Sequence, residues 1–284
     1  MWFCKEAQYE LAGRVAVVTG ALGAIGRRLA ARLAESGAQV ALVDIGSESD
    51  GAALCAELNS GRGQRVAAYR RADLRDAARI AELLAWADGE FGRVDVVVNN
   101  AGLASPHGLY SGGETADRMA ALLQVNLLAP MEMMRAFAEY ARAHGRPSVV
   151  VNMASMGGLV PNEGGEVYGA AKAALVHLTR ASRSLMPAVR VCAVAPYYVD
   201  TPMVRNNPKL QNNPTVYPAL MLSVDAVCDA TLACIRDPRS AGRTVALIGS
   251  ASARMWMYDV VGVHIKLLGA WSLAAAAFWR LLGY

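Results

Sequence analysis

The chain has 284 residues, enough for one α/β domain with a sizeable core, and 54% of them are hydrophobic. Its 28 basic and 24 acidic side chains leave a net charge of only +4, with the basic residues scattered, which argues against nucleic acid as a partner. Four histidines and five dispersed cysteines (4, 55, 192, 228 and 234) show no metal-ligand spacing, so no metal site is expected and the thiols read as reduced.

The opening residues, Met1 to Glu6, lack the basic-then-apolar order of a secretory signal, and the expected location is cytoplasmic. Residues 14–19 (Arg-Val-Ala-Val-Val-Thr) read as a buried strand, because a continuous apolar run is what a parallel sheet covered on both faces requires. Gly20, Gly23 and Gly26 follow, and then the helical pattern Leu29, Ala30, Leu33, Ala34. Glycines at a strand-to-helix junction let the backbone turn sharply and approach a pyrophosphate, which the helix N-terminus then meets with unpaired N–H groups. A second strand, residues 39–43, ends on Asp44, eighteen residues after Gly26. A carboxylate there accepts the adenosine ribose hydroxyls and repels a 2′-phosphate. No arginine or lysine lies inside the glycine turn to compensate, so the expected cofactor is NAD rather than NADP.

Alternating strand and helix patterns continue without a low-complexity linker, which predicts a doubly wound parallel sheet of about seven strands, with ligands at its carboxyl edge. Asn126 sits among Leu122, Leu123, Leu127 and Leu128 and is expected to be a buried polar side chain in need of a partner. Ser155 follows the apolar run 149–151 and so falls at a strand's carboxyl end. Thirteen residues later Tyr168 begins a Tyr-x-x-x-Lys step to Lys172, and on a helix that spacing stacks the two side chains on one face. A free phenol titrates near pH ~10, and a neighbouring cation favours the phenolate, so the lysine is expected to lower the tyrosine pKa. Residues 203–218, rich in asparagine and proline, read as a loop over the substrate pocket, either a spacer or a lid.

These residues together resemble the short-chain dehydrogenase/reductase family over about residues 11–249. The glycine motif Thr-Gly-x-x-x-Gly-x-Gly is matched by Thr19, Gly20 and Gly26, with Ala24 at the middle glycine. Asp73 and Leu74 follow the third strand, Asn99 to Gly102 the fourth, and Pro196 opens a segment ending at 199–203 (Val-Asp-Thr-Pro-Met). The resemblance implies a catalytic tetrad of Asn126, Ser155, Tyr168 and Lys172. It implies a cofactor site drawn from Gly20, Leu22, Gly23, Ile25, Gly26, Asp44, Ile45, Asp73, Leu74, Asn100, Ala101, Gly102, Val199 and Thr201, besides Tyr168 and Lys172. In it Asp73 meets the adenine, Asn100 the cofactor ribose, and Val199 and Thr201 the nicotinamide amide. Residues 152–161 also resemble, much more loosely, the NAD-dependent 15-hydroxyprostaglandin dehydrogenases. Tyr197, where the family usually has glycine, stands close to the expected nicotinamide pocket and bears on substrate size.

The implied activity is NAD-dependent interconversion of a secondary alcohol and a ketone, on a lipophilic molecule such as a hydroxy-lipid, prostaglandin-like compound or steroid. The alternatives are a reductase of a small polar carbonyl or polyol, or a non-catalytic dinucleotide-binding scaffold. Family members assemble as homodimers or homotetramers. The catalytic domain is expected to end at 249, leaving an apolar helical extension at 250–284. There Leu267, Trp271, Ala274, Phe278 and Leu281 recur at spacings of four and three. The segment from Leu267 to Trp279 has no charge but is shorter than the ~20 residues of a spanning helix. It reads as a helix covered by protein, as a membrane-surface contact through 260–284, or, third, as a tilted span from Val260.

Overall fold

The computed structural model describes residues 8–104, 107–207 and 221–248, together with the backbone of 256–258 and 264–266. Seven parallel strands form in the expected sense: β1 (Val15–Thr19), β2 (Gln39–Asp44), β3 (Ala67–Arg71), β4 (Val96–Asn99), β5 (Ser148–Met153), β6 (Val189–Pro196) and β7 (Thr244–Leu247). Every residue of β1, β4, β5, β6 and β7 is buried, the mark of a sheet covered on both faces.

Helices α1 (Ala24–Glu35), α2 (Glu48–Asn59) and α8 (Val224–Arg236) cover one face. Leu29 and Leu33, Leu54 and Leu58, and Val227 and Ile235 share one core there with Val18, Leu42 and Val151. On the other face, α3 (Ala77–Phe91) and α5 (Ala129–His144) bring Ile80, Leu83, Met133 and Phe137 onto Val17, Val97 and Val150, with Leu178 of α6 (Glu166–Ala181) at the margin. Polar caps start several helices: Ser47 accepts the N–H of Asp50, and Ser223 that of Ala226. Gly92 closes α3 at φ 76°, a left-handed cap.

The strand order is β3-β2-β1-β4-β5-β6-β7, so the winding direction reverses between β1 and β4. Reversal opens a crevice at the carboxyl ends of those two strands, which is where doubly wound sheets bind ligands.

Two expectations need correction. The sheet does not end with β7, because β8 (Trp256–Tyr258) and β9 (His264–Lys266) extend it antiparallel. Pairing there satisfies backbone groups that an open β7 edge would leave bare. The extension 250–284 is therefore not helical throughout, and an extended segment at 264–266 breaks a helical span from Val260. The apolar pattern beginning at Leu267 lies outside the described residues. Among the described residues no helix is long and apolar enough to cross a membrane. The 203–218 segment begins within α7 (Pro202–Arg205), a single turn, and its part from 208 onward is likewise outside the described residues.

Candidate active site

At the crevice, Thr19 ends β1 and acts as a clamp. Its hydroxyl donates to the carbonyl of Val98 (3.3 Å) and accepts the N–H groups of Asn100 (3.0 Å) and Ala101 (3.1 Å). The Asn100 amide nitrogen donates in turn to the carbonyls of Thr19 (2.9 Å) and Gly20 (3.1 Å). The two loops that follow β1 and β4 are thus held against each other, and Asn100 is first of all the residue that shapes the glycine turn.

Close approach explains the glycines. Gly20 has φ +64°, and a Cβ there would lie 2.8 Å from the Cα of Ala101. A Cβ at Gly26 would overlap the carbonyl oxygen of Gly20, so α1 packs on the turn only with glycine at that position. The middle position, Ala24, is exposed and tolerates its methyl. Helix α1 starts at Gly23 without a side-chain cap and without an acidic residue in its first turn. Its N–H groups and positive dipole end are left for an anion.

Asp44, at the end of β2, reaches back to this turn. One carboxylate oxygen accepts the N–H of Leu22 (2.9 Å) and the other that of Gly46 (3.0 Å). Ile45 beside it is 54% exposed although apolar, an available face for a planar base. Across the crevice Leu74 is partly buried, while Asp73 is paired with Arg75 through contacts of 2.6 to 3.0 Å. The Arg75 hydrogen bonds hold that carboxyl below the usual range. Ile25 lies partly buried on the first turn of α1. Val199 and Thr201 are buried after β6, and the Thr201 hydroxyl donates to the Val199 carbonyl (3.3 Å). A strandlike bridge from Val199 to Leu222 fixes this segment.

The sequence-derived tetrad converges at the ends of β4 and β5. Ser155 lies two residues past β5 and caps the short 3-10 turn Met156–Gly158, its hydroxyl oxygen accepting the N–H of Gly157 (3.2 Å). Tyr168 and Lys172 share one face of α6, with the Lys172 Nζ 5.7 Å from the centre of the Tyr168 ring. Lys172 is only 4% exposed and donates to the carbonyl of Met153 (2.7 Å). Asn126 is fully buried in a single π-helical turn, Gln124–Leu128, between α4 (Ala116–Leu123) and α5. Its side-chain oxygen accepts the N–H of Leu103 (2.7 Å) and its nitrogen donates to the Leu103 carbonyl (2.8 Å), which supplies the expected partner. Gly102 lies between the two groups: a Cβ there would be 3.4 Å from the Asn126 oxygen and 3.7 Å from the Lys172 Nζ.

Burial pushes the Tyr168 phenol up, the Ser155 hydrogen bond pulls it down, and the nearby phenol of Tyr198 opposes ionisation. Lys172 has its own pKa lowered to about 8 by burial, so it stays mostly protonated near pH 7 and loses its proton not far above it. Desolvation thus acts on both groups, opposing the phenolate and the ammonium alike.

Three side chains with no site role assigned from sequence position this machinery. The amide of Asn99 at the end of β4 donates to Asn152 of β5 (2.9 Å), and the amide of Asn152 donates to Thr179 of α6 (3.0 Å). All three are buried. This chain ties β4 and β5 to α6. The only sequence cue was asparagine at the ends of valine runs, where an apolar residue fits the core better.

The donor set fits a nicotinamide dinucleotide: an uncapped helix N-terminus for the pyrophosphate, Asp44 for ribose hydroxyls, and exposed Ile45 against the adenine. A bound nicotinamide supplies a hydride acceptor or donor. The chain's own residues handle the proton. Tyr168 can take or give it at a substrate oxygen, and Ser155 can hydrogen-bond that oxygen. Lys172 is a buried amine able to relay charge beneath them.

Such a site on such a sheet defines an oxidoreductase acting on CH–OH groups. The chain belongs to the short chain dehydrogenase family, whose model matches residues 14–212. It is 41% identical over 192 residues to a 1-deoxy-11-beta-hydroxypentalenate dehydrogenase of Streptomyces avermitilis, covering 67% of this chain and 70% of that one. It is 36% identical over 204 residues to a cis-4-hydroxycyclohexanecarboxylate dehydrogenase of Sinomonas cyclohexanicum, covering 69% and 78%. A solved 3-ketoacyl-(acyl-carrier-protein) reductase from Brucella melitensis, complexed with NADH, superposes with a TM-score of 0.73 at 27% identity, covering 84% of this chain and 98% of that one.

Proposed function

We propose that this protein oxidises a secondary alcohol on a largely apolar, ring-bearing molecule to the ketone. The cofactor is NAD, as the Asp44 carboxylate at the end of β2 and the NADH-bound relative both support. The observation that carries the catalytic reading is the convergence of Ser155, Tyr168 and Lys172 at the ends of β5 and α6. The apolar preference is supported by the residues around them. Leu103, Leu109 and Met203 are exposed although apolar, and Tyr197 and Tyr198 stack edge-on with ring centres 4.7 Å apart. Tyr197 packs, as Leu159 and Val160 do, against the buried cluster of Met156, Ala246 and Ile248 just past Ser155. Both dehydrogenase relatives carry names that denote hydroxylated acids, which suits the same chemistry.

In the expected order, the substrate hydroxyl meets the Ser155 hydroxyl and the ionised Tyr168 oxygen, which takes its proton, while the carbinol hydrogen would leave as hydride to the acceptor that a bound nicotinamide would supply. The experiment is NADH formation followed by absorbance with alicyclic hydroxy acids, steroids, hydroxy-lipids and polyols. Turnover of the apolar alcohols is expected. Efficient turnover of polyols alone would refute the apolar assignment. We expect a homodimer or homotetramer, which light scattering measures.

A further inference from the structure

We propose that Arg71 is a second determinant of cofactor choice, a cation beside Asp44 that can receive an adenosine 2′-phosphate. The inference rests on the assignment of the Asp44 site to the adenosine ribose. Asp44 and Arg71 are register partners on parallel strands β2 and β3. Partners in register point their side chains to the same sheet face. Alternation agrees, since Arg70 turns to the opposite face, its guanidinium 5.9 Å above the Trp86 ring of α3.

Arg71 is exposed and holds its place through one bond, from Nε to the carbonyl of Ile45 (3.1 Å). That carbonyl belongs to the residue directly after Asp44. Among the described residues, the two terminal guanidinium nitrogens have no hydrogen-bond or ion-pair partner, and Asp44 forms no ion pair with Arg71. Asp44 instead uses its two oxygens on the backbone N–H groups of Leu22 and Gly46. A guanidinium anchored at its base and open at its fork suits bidentate binding of a phosphate.

The consequence is a balance of charge at one position. The Asp44 carboxylate repels the 2′-phosphate and selects NAD, while Arg71 offsets part of that repulsion. Neutralising Asp44 should expose the arginine, and the enzyme should then accept NADP without any added cation. The glycine turn contains no cation, and Arg71 is the register neighbour of Asp44, so the gain is expected to depend on Arg71.

The test compares the wild type with Asp44→Asn, Arg71→Ala and the double variant. NADH and NADPH binding are measured by fluorescence titration, alongside kcat/KM with NAD and NADP. Asparagine keeps an acceptor for the turn, and Asp44→Ser serves if the asparagine variant melts early. Asp44→Asn should bind NADPH at least tenfold more tightly than the wild type. Adding Arg71→Ala should abolish most of that gain and leave NADH binding within threefold. Arg71→Lys should restore part of it, with stronger dependence on salt. Equal NADPH affinity in Asp44→Asn with and without Arg71 overturns the role of Arg71 alone. Failure of the wild type to bind NADH overturns the reading of the Asp44 site, and this inference with it.

Discussion

The Nζ of Lys172 donates a 2.7 Å hydrogen bond to the carbonyl oxygen of Met153, the last residue of β5. Helix α6 and strand β5 are thereby joined two residues before Ser155. The same bond places a nearly inaccessible amine in a site where burial lowers its pKa to about 8. Position and charge state are set by one contact environment.

Changing Tyr168 to phenylalanine keeps the ring and deletes the proton-carrying oxygen. We expect kcat to fall by at least ~10²-fold, the usual scale for losing a general acid–base group. NADH binding, read by fluorescence, should stay close to wild type. Ser155→Ala should behave likewise, since it removes the hydrogen bond that pulls the phenol down. Substantial residual turnover in Tyr168→Phe would remove Tyr168 from the mechanism.

The Lys172 shift makes a signed prediction about stability. Its folded-state value of about 8 lies below the ordinary lysine value of 10.5, so between these the unfolded chain binds more protons. Stability from this group is then fully present above the unfolded value and is lost as pH falls through about 8. Relative to Lys172→Met, the wild type should gain up to about 3 kcal/mol as pH rises from 7 towards 10. Chemical denaturation of both proteins across that range measures it, and parallel curves would contradict the desolvated amine.

Gly26 and Ala24 should respond in opposite ways to a single methyl. Gly26→Ala places a Cβ on the Gly20 carbonyl, which forces α1 away from the turn. We expect a loss of at least ~1–3 kcal/mol, as for overpacking elsewhere, together with much weaker NADH binding. Ala24→Gly, at an exposed helix start, should change both by little. A thermal melt and one titration for each variant suffice.

Asp95 holds a second network outside the site. Its fully buried carboxylate accepts from Arg14 (3.1 Å), from the Val15 N–H (2.9 Å) and from Arg93 (2.7 Å). Burial raises its pKa, and the bonds from Arg93, Val15 and Arg14 more than reverse that. Asp95→Ala leaves a backbone N–H and two guanidinium groups without their acceptor. The expected cost is about 3–5 kcal/mol, measured by urea unfolding, with cofactor binding in the remaining folded protein unchanged.

The segment 267–284 is too apolar to remain solvated as an isolated helix. We expect the full chain to stay soluble without detergent, and a chain ending at Lys266 to lose oligomeric state or melting temperature. Co-sedimentation of the full chain with liposomes, absent from the shortened one, would assign the segment to a membrane surface instead. A shortened chain unchanged in assembly, stability and membrane binding would refute both covers.

Local features were legible in the sequence because they depend on neighbours in the chain. Strand β1 announces itself by its unbroken apolar run, Asp44 by its distance from the glycines, and Tyr168 with Lys172 by helical spacing. Asn126 could be called buried from its leucines, but Leu103 as its partner could not. The two are twenty-three positions apart, and Asn126 sits in a π-turn that has no spacing rule of its own. Likewise Asn99, Asn152 and Thr179 meet only because β4, β5 and α6 pack together.

The order of its elements and the glycine turn were legible in the sequence itself, as were the residues we propose select NAD and handle the proton. Those properties follow from side-chain type and local periodicity. Tertiary structure decided how the groups are charged and what lies beside them. Desolvation depends on atoms gathered from several strands, so the lysine that local spacing marks as a cation titrates at about 8, well below an ordinary lysine. Sheet pairing carries the chain past β7 into β8 and β9, since an open edge leaves backbone groups unpaired. Strand register sets Arg71 next to Asp44, twenty-seven residues away in the chain. Such neighbours are produced by long-range pairing, and no local pattern encodes them.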